Sequence, residues 1–401
     1  MFELRKYQQE ASEKGLDILK KHHILILNYE VRLGKTHIAL DIAKNYTNVL
    51  FVTKKKAISS IESDYKTANH NFNITIINYE SLHKVNGIYD LIICDESHTL
   101  GAFPKPSKRV KELKENYSNS DLILMTGTLL PESNAQIFHQ LFISNHSPFK
   151  ENNFYKWHKI YGTPKVKYTS YGQANDYSEV DYNKISKFIE PIKLSYTQEQ
   201  AGFKGKIEEN ILEVKMRPIT IDLINRLKKD LVIEGNDEVI LADTSVKLMQ
   251  KVHQLSSGTV KFESGNSQVL DDSKAIYIKD NFKGKKLAIF YKFKAELVAL
   301  KMHLDITDNI EEFNKTDKHI ALQFVAGREG INLSKADYIV AYNIDFSAVT
   351  YFQFRDRMTT KDRQFNKVFW LFSKGGIEHK IYKAVTNKKN YTLNTFKRDE
   401  I

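Results

Sequence analysis

Cysteine is nearly absent from the 401 residues: Cys94 stands alone. One thiol excludes an intrachain disulfide framework, and equally a zinc ribbon or an iron–sulfur cluster, which need several thiolates. Such sparing use fits a reducing, cytoplasmic compartment. Proline and glycine are few, at 7 and 17 residues, and neither a repeat nor a low-complexity tail is visible. No apolar run approaches the roughly 20 residues of a membrane span, and no leader-like segment is read, so no membrane partner is expected. The 13 histidines are scattered; the pair His22–His23 reads as a helix end, not a metal site. Acidic side chains are outnumbered, 49 against 60 Lys and Arg, for a net charge of +11. That balance agrees with a polyanionic partner but does not by itself identify one.

What is present is ordered. The apolar run Ile24-Leu25-Ile26-Leu27 leads through a short loop to Leu33-Gly34-Lys35-Thr36, and a helical pattern follows with Ile38, Ala39, Ile42 and Ala43 on one face. Strand, loop and helix N-terminus in that order make a phosphate loop, because free N–H groups and the positive dipole end point at the anion. Gly34 lets the backbone approach, Lys35 reaches outer phosphate oxygens, and the Thr36 hydroxyl is placed to ligate Mg²⁺. The first glycine of the usual phosphate-loop pattern would fall at position 29, which is Tyr29. Further on, Leu91-Ile92-Ile93-Cys94 reads as a buried parallel strand ending in Asp95-Glu96-Ser97-His98. Ligands of such sheets bind outside strand C-terminal ends. Asp95 is therefore expected to hold Mg²⁺, directly or through water, and Glu96 to orient or deprotonate the attacking water. Together these signatures predict an enzyme that hydrolyses ATP with Mg²⁺ as cofactor.

Other apolar strands end in similar small or polar residues: Leu122 to Met125 before Thr126-Gly127-Thr128, and Phe324 before a glycine-containing stretch to Leu333. Gln353-Phe354-Arg355-Asp356-Arg357 reads as helical. In this order the chain resembles helicase superfamily 2, and within it compact phage-type members of the Swi/Snf-like DNA translocases. The resemblance covers nearly the whole chain. Leu4 to Gln8 looks like the adenine-reading glutamine motif, Glu30 to Thr36 like motif I, Val52-Thr53-Lys54 like motif Ia and Asn78-Tyr79-Glu80 like motif Ib. Asp95 to His98 is similar to a DExH motif II and Thr126 to Thr128 to motif III. Gly327 to Leu333 resembles motif V, and Gln353 to Arg357 motif VI.

The resemblance implies ATP contacts at Gln8, Leu33, Gly34, Lys35, Thr36, Gly330 and Arg357. It implies catalysis by Lys35, Glu96 and Arg357, and Mg²⁺ at Thr36 and Asp95. Coupling falls to His98, Thr126, Gly127, Thr128 and Gln353, and nucleic-acid contacts to Thr53, Lys54, Tyr79, Gly327, Arg328 and Asn332. Two departures stand out: Leu129 where motif III usually has proline, and Thr360 where motif VI usually has a second arginine, with Lys361 beside it.

The predicted fold is α/β, with two tandem RecA-like lobes of parallel sheets, the ATP cleft between them and a small helical insertion. Strands are expected near Ile24, Val49, Ile74, Leu91 and Leu122 in a first lobe, residues 1–143. A second lobe, residues 208–401, has them near Leu287, Ile320, Tyr338 and Val368, with appended helices over 219–231 and 245–255 and a basic helical segment from Ile377 to Arg398. Between the lobes, residues 144–207 interleave aromatics and bases: Phe154, Tyr155, Trp157, Lys159, Tyr161, Lys165, Lys167, Tyr168 and Tyr171. They make either a stacking surface for nucleic acid or an aromatic mini-core under a lysine rim.

The function this implies is an ATP-dependent DNA helicase or translocase of a prokaryotic or phage-infected cell. Its partners would be single-stranded, duplex or forked DNA, with RNA an option, and replication or recombination proteins. Two other readings stay open: a duplex translocase that never separates strands, and a nucleic-acid-binding protein with a degenerate ATPase fold.

Overall fold

The computed structural model describes residues 3–169, 172–202, 206–235, 237–324, 333, 335–355, 365–387 and 389–400. The chain divides into two compact units, Met1–Phe203 and Lys204–Ile401. Each is built on a six-stranded, all-parallel sheet between helices, the architecture of a RecA-like lobe.

The first unit runs through α1 (Lys6–His22), β1 (Ile24–Tyr29), α2 (Lys35–Ala43), β2 (Asn48–Thr53), α3 (Ile58–Thr67), β3 (Asn73–Asn78), β4 (Leu91–Cys94), α4 (Lys108–Tyr117), β5 (Asp121–Thr126) and α5 (Ile137–Phe142). It continues with α6 (Phe154–Tyr161), the hairpin β6 (Lys165–Thr169) and β7 (Gly172–Asp176), α7 (Tyr182–Ile189) and β8 (Lys193–Tyr196). Its sheet order is β3-β2-β4-β5-β1-β8. Strand residues alternate between two cores because successive side chains point to opposite faces. Ile24, Ile26, Leu50, Ile92 and Leu124 pack on one face, and Leu25, Leu27, Phe51, Ile93 and Met125 on the other. Burial on both faces explains why these strands read as continuous apolar runs and not as alternating ones.

The insertion is not purely helical, as the resemblance implied it would be. It contributes two helices, an antiparallel hairpin outside the main sheet, and the edge strand β8. Its aromatics settle the open alternative in part. Phe154 and Trp157 are buried and pack with Phe138 and Phe149, so they are core and not a stacking surface. Tyr161 joins that cluster, while Tyr155 is exposed. Lys159 faces solvent and Lys165 pairs with Glu179; Tyr171 lies outside the described residues.

The second unit begins with β9 (Lys206–Val214) and proceeds through α8 (Pro218–Asp230), β10 (Val232–Glu234), β11 (Val239–Leu241), α9 (Ser245–Ser256), β12 (Thr259–Lys261), β13 (Ser267–Val269) and α10 (Ser273–Asn281). Then follow β14 (Leu287–Tyr291), α11 (Lys294–His303), β15 (Ile306–Thr307), α12 (Ile310–Lys315), β16 (His319–Gln323), β17 (Tyr338–Ala341), α13 (Ala348–Arg355), β18 (Phe365–Ser373), α14 (Glu378–Thr386) and α15 (Leu393–Glu400). The sheet order is β15-β16-β14-β17-β18-β9. The single basic helix expected from Ile377 to Arg398 is two. The chain leaves the helical path after Thr386 so that Tyr391 can bury against Phe346, its N–H donating to the Phe346 carbonyl.

A buried ion pair ties α10 to α14. Lys274 Nζ lies 2.9 Å from Glu378 Oε1, and neither side chain is exposed. Lys274 also donates to the Tyr342 carbonyl, and Ser373 Oγ donates to Glu378 Oε2. Removing one partner strands a charge in a low dielectric, which costs far more than the intact pair contributes. Glu378→Ala should therefore lower the stability of the second unit by about 3–5 kcal/mol in urea unfolding. Lys274→Met combined with Glu378→Leu should recover most of that loss.

Candidate active site at the strand ends of the first unit

Parallel pairing aligns the C-terminal ends of neighbouring strands. β1 pairs β5 with Asn28 opposite Thr126, β4 pairs β5 with Cys94 opposite Leu124, and β2 pairs β4 with Val52 opposite Cys94. The loops after β1, β4 and β5 therefore open on one edge, and they carry most of the residues expected there.

The loop after β1 crosses to α2 with two left-handed residues, Arg32 at φ 64° and Gly34 at φ 76°. Gly34 caps α2, and Lys35 is its first helical residue. A side chain at position 34 would be excluded twice, by the backbone angle and by Gln8, whose Nε2 a Cβ would strike. Tyr29 takes the position of the missing glycine without strain. It ends β1 with ordinary extended geometry, and its buried ring stacks on Tyr196, with centroids 5.5 Å apart. Burial, with Tyr196, Tyr7 and Glu10 adding, pushes the Tyr29 phenol up to about 12.

Gln8 is buried at the start of α1. Its Oε1 accepts from the Arg5 N–H at 2.8 Å, and its Nε2 donates to the Leu33 carbonyl at 3.1 Å. The Tyr7 hydroxyl donates to the same carbonyl at 3.1 Å. Leu33 is itself fully buried, so the middle of the loop is held from below and from the side.

Lys35 Nζ donates to the carbonyls of Tyr29 at 2.7 Å and Glu30 at 3.2 Å. Burial lowers its ammonium pKa from the ordinary lysine value, while the carboxylates of Glu96, Asp95 and Glu30 act in the opposite direction. Gly127 closes the space above: a Cβ there would sit 3.8 Å from Lys35 Nζ and 3.7 Å from the Tyr29 carbonyl. Thr36 follows Lys35 on the first turn of α2 and is partly exposed.

The acidic pair is supported from behind. Asp95 N–H donates to the Val52 carbonyl at 2.8 Å, continuing the β2–β4 ladder past the end of the strand. The Thr53 hydroxyl donates to Asp95 Oδ2 at 2.8 Å, and the Tyr79 hydroxyl to the Asp95 carbonyl at 2.6 Å. Both residues were expected to touch nucleic acid. Thr53 is wholly buried and Tyr79 almost so, each with its hydroxyl turned inward, so they position Asp95 and do not form a surface. Burial, reinforced by Cys94, Asp95 and Glu96, holds the Tyr79 phenol well above its usual value. Lys54, the next residue, is partly exposed.

Glu96 adopts the left-handed conformation, φ 49°, which turns its carboxylate toward His98. His98 Nδ1 lies 3.3 Å from Glu96 Oε2 and 3.1 Å from Thr126 Oγ1. The Thr126 hydroxyl donates to the Thr128 carbonyl and accepts from the Thr128 N–H, both at 3.1 Å. His98 Nδ1 thus stands between the Glu96 carboxylate and the loop after β5. Buried Ser97 donates to Gln140 Oε1 at 3.0 Å, which anchors this turn to α5. Among the described residues no group of three or more His, Cys, Asp or Glu side chains is placed to hold a metal by itself.

Gln8, Leu33, Gly34, Lys35, Thr36, Asp95, Glu96, His98, Thr126, Gly127 and Thr128 are thus carried on one strand-end edge of the first unit. Gln353 lies on α13 of the second unit. Gly327, Arg328, Gly330, Asn332 and Arg357 lie outside the described residues. Sequence reasoning missed the supports: Gln140 behind Ser97, and Tyr196 and Gln198 beside the loop after β1. Nothing local marks them, since each acts on residues far away in the chain.

No protein-family profile and no curated protein matches the chain. Solved structures similar to it include the Sulfolobus solfataricus SWI2/SNF2 ATPase core in complex with dsDNA. That match is 15% identical with a TM-score of 0.45, covering 96% of this chain and 91% of that one. The Sulfolobus solfataricus SWI2/SNF2 ATPase core domain is 17% identical with a TM-score of 0.46, covering 100% of this chain and 91% of that one.

Cys94 sits between this site and the core. Burial pushes its thiol up to about 12, against a hydrogen bond from Tyr79 that acts the other way. A thiol that stays protonated and inaccessible does not react. A disulfide reagent such as Ellman's should label Cys94 only as fast as the first unit opens. Prompt labelling of the native protein would contradict this packing.

Proposed function

We propose that the chain is a nucleic-acid-dependent ATPase, working as an ATP-dependent DNA helicase or translocase. One observation carries the reading. Lys35, Asp95 and Glu96 converge from the ends of β1 and β4, and His98 joins Glu96 to Thr126 after β5. A lysine at a helix N-terminus beside two carboxylates is what phosphate binding, metal binding and water activation call for together.

In this reading the backbone N–H groups from Gly34 to Thr36 cradle the phosphates and Lys35 exchanges its two carbonyl acceptors for phosphate oxygens. Mg²⁺, bound with the nucleotide, would supply positive charge against the negative charge developing on transfer. The Thr36 hydroxyl and the Asp95 carboxylate are the groups to hold it. A site with two protein oxygens suits a cation that keeps waters and takes phosphates as its other ligands. Glu96 accepts a proton from the water that attacks the γ-phosphorus, as the bond to the ADP oxygen breaks. His98, fixed by Thr126, holds Glu96 in place and carries its state to the loop after β5. Arg357 is proposed as the cation for the γ-phosphate, and Lys54, with Gly327, Arg328 and Asn332, as contacts to the nucleic-acid backbone. The net charge of +11 supports a polyanionic track.

The test is steady-state ATPase activity alone and with single-stranded, duplex and forked DNA, then RNA. Stimulation by forked DNA with strand separation supports a helicase, and stimulation by duplex without separation a translocase. No turnover on any of them would overturn the reading in favour of a binding protein. Lys35→Ala should abolish turnover and leave DNA affinity intact. Glu96→Gln should bind ATP yet lose at least 10²-fold in kcat, and Arg357→Ala should lose about 10³-fold. A Glu96→Gln enzyme with ordinary kcat would refute the role given to that carboxylate.

Thr53 and Lys54 should separate cleanly although they are adjacent. Thr53→Val removes a hydrogen bond to Asp95, so kcat falls while the salt dependence of DNA binding stays the same. Lys54→Ala should leave basal ATPase unchanged and flatten the slope of log affinity against log salt by about one unit.

A further inference from the structure

The loop after β1 has a second set of partners, supplied by the last residues of the first unit. β8 returns beside β1 with Tyr196 opposite Tyr29, and the Glu30 N–H donates to the Tyr196 carbonyl at 3.1 Å. Tyr196 stacks on Tyr29 and, with centroids 5.1 Å apart, on Tyr7. Two residues on, the Gln198 N–H donates to Glu30 Oε2 at 2.7 Å, and Gln198 Nε2 donates to the Val31 carbonyl at 3.0 Å. These bonds span more than 160 residues of sequence.

The segment that makes them is itself braced. Gln200 Oε1 accepts from the Thr197 N–H at 2.8 Å, and the Tyr196 hydroxyl donates to the Gln200 carbonyl at 3.0 Å. Ala201 N–H donates to Thr197 and Gly202 N–H to Glu199, with Gly202 in the left-handed region, φ 75°. Gln198 is therefore presented by a closed turn and not by a loose tail. The boundary with the second unit follows at Phe203–Lys204.

We propose that Gln198 is a positioning residue of the phosphate loop: through Glu30 and Val31 it sets the conformation in which Gly34, Lys35 and Thr36 receive the nucleotide's phosphates. The chemistry is specific. Glu30 carries a carboxylate on the same loop as the cradle, and a carboxylate facing polyphosphate is repulsive. The Gln198 backbone N–H holds that carboxylate toward the turn. The side-chain amide fixes the Val31 carbonyl, one residue before the left-handed Arg32, so the backbone reaches Gly34 on a defined path. Lys35 bonds the Tyr29 and Glu30 carbonyls on the same stretch. The turn and the lysine thus act on one short run of backbone, and phosphates that draw Lys35 away change what the turn holds. The last residues before the second unit become sensitive to the nucleotide.

This rests on the nucleotide reading above, and its test separates the two. In the full chain, Gln198→Ala removes only the amide to Val31, since the backbone N–H remains. One hydrogen bond of this kind predicts roughly a three- to tenfold rise in Kd for MgADP and in KM for ATP, with kcat at saturating ATP and DNA kept. Gln198→Glu, which cannot donate and faces Glu30 with a second carboxylate, should be worse than Gln198→Ala at neutral pH. Amide hydrogen exchange supplies a readout apart from turnover: MgADP should change protection at 197–202 together with 30–36 in the parent, and at 30–36 alone in Gln198→Ala. If the parent binds MgADP while 197–202 ignores it and Gln198→Ala keeps the parent's Kd and KM, the proposal is wrong and the nucleotide site stands. A parent that binds no nucleotide removes both.

Discussion

Parallel strand pairing is the constraint on which everything in the first unit depends. Because β1, β5, β4 and β2 run in one direction and in tight register, four chain segments distant in sequence end on the same edge of the sheet. The loops that follow β1, β4 and β5, with Lys35, the Asp95–Glu96 pair and Thr126 to Thr128, are thereby brought together. A shift of one residue in the β4 pairing would turn Asp95 away from Thr53 and break the contact of His98 with Thr126. The two apolar cores, filled by alternate residues of the same strands, hold that register. Packing and site geometry are therefore one problem, solved by the same side chains.

Electrostatics add a second layer of order. Lys35 lies in a partly enclosed setting that works against its charge, and three carboxylates work for it. Its donors are taken up by backbone carbonyls, which keep the ammonium in place without neutralising it. On the acidic side, each carboxylate has a side chain against it: Thr53 for Asp95 and His98 for Glu96. The Thr53 hydroxyl fixes the orientation of Asp95 at little electrostatic cost, because it carries a dipole and not a full charge.

The strand series of both units could be read from sequence because doubly buried strands announce themselves as unbroken apolar runs. Gly34, Lys35, Asp95 and Glu96 could be singled out as candidates because a strand end, a loop and a helix start mark them locally. Thr53 and Tyr79 could not be read correctly. A polar residue at a strand end looks like a surface group until it is known that β2 lies beside β4, and that is a fact of topology, not of local pattern. Gln198 was invisible for the same reason, its partners lying at the other end of the unit. The hairpin β6–β7 escaped notice because its strands are short and mostly polar, with no apolar run to mark them. The C-terminal region was read as one helix because helical periodicity does not show where Tyr391 must turn to be buried.

The place of β8 in the sheet has a consequence for how the chain is made. β1 is made long before the neighbour that covers its outer edge, Lys193–Tyr196, which follows only after α7. Until then β1 presents a row of unpaired N–H and C=O groups flanked by apolar side chains, the surface that recruits foreign strands. The insertion thus delays completion of the sheet during synthesis. A fragment cut before Lys193, though it holds every strand that carries the acidic pair and the lysine, would keep that sticky border permanently. It is the last strand of the insertion, β8, and not the helices and hairpin before it, that closes the border.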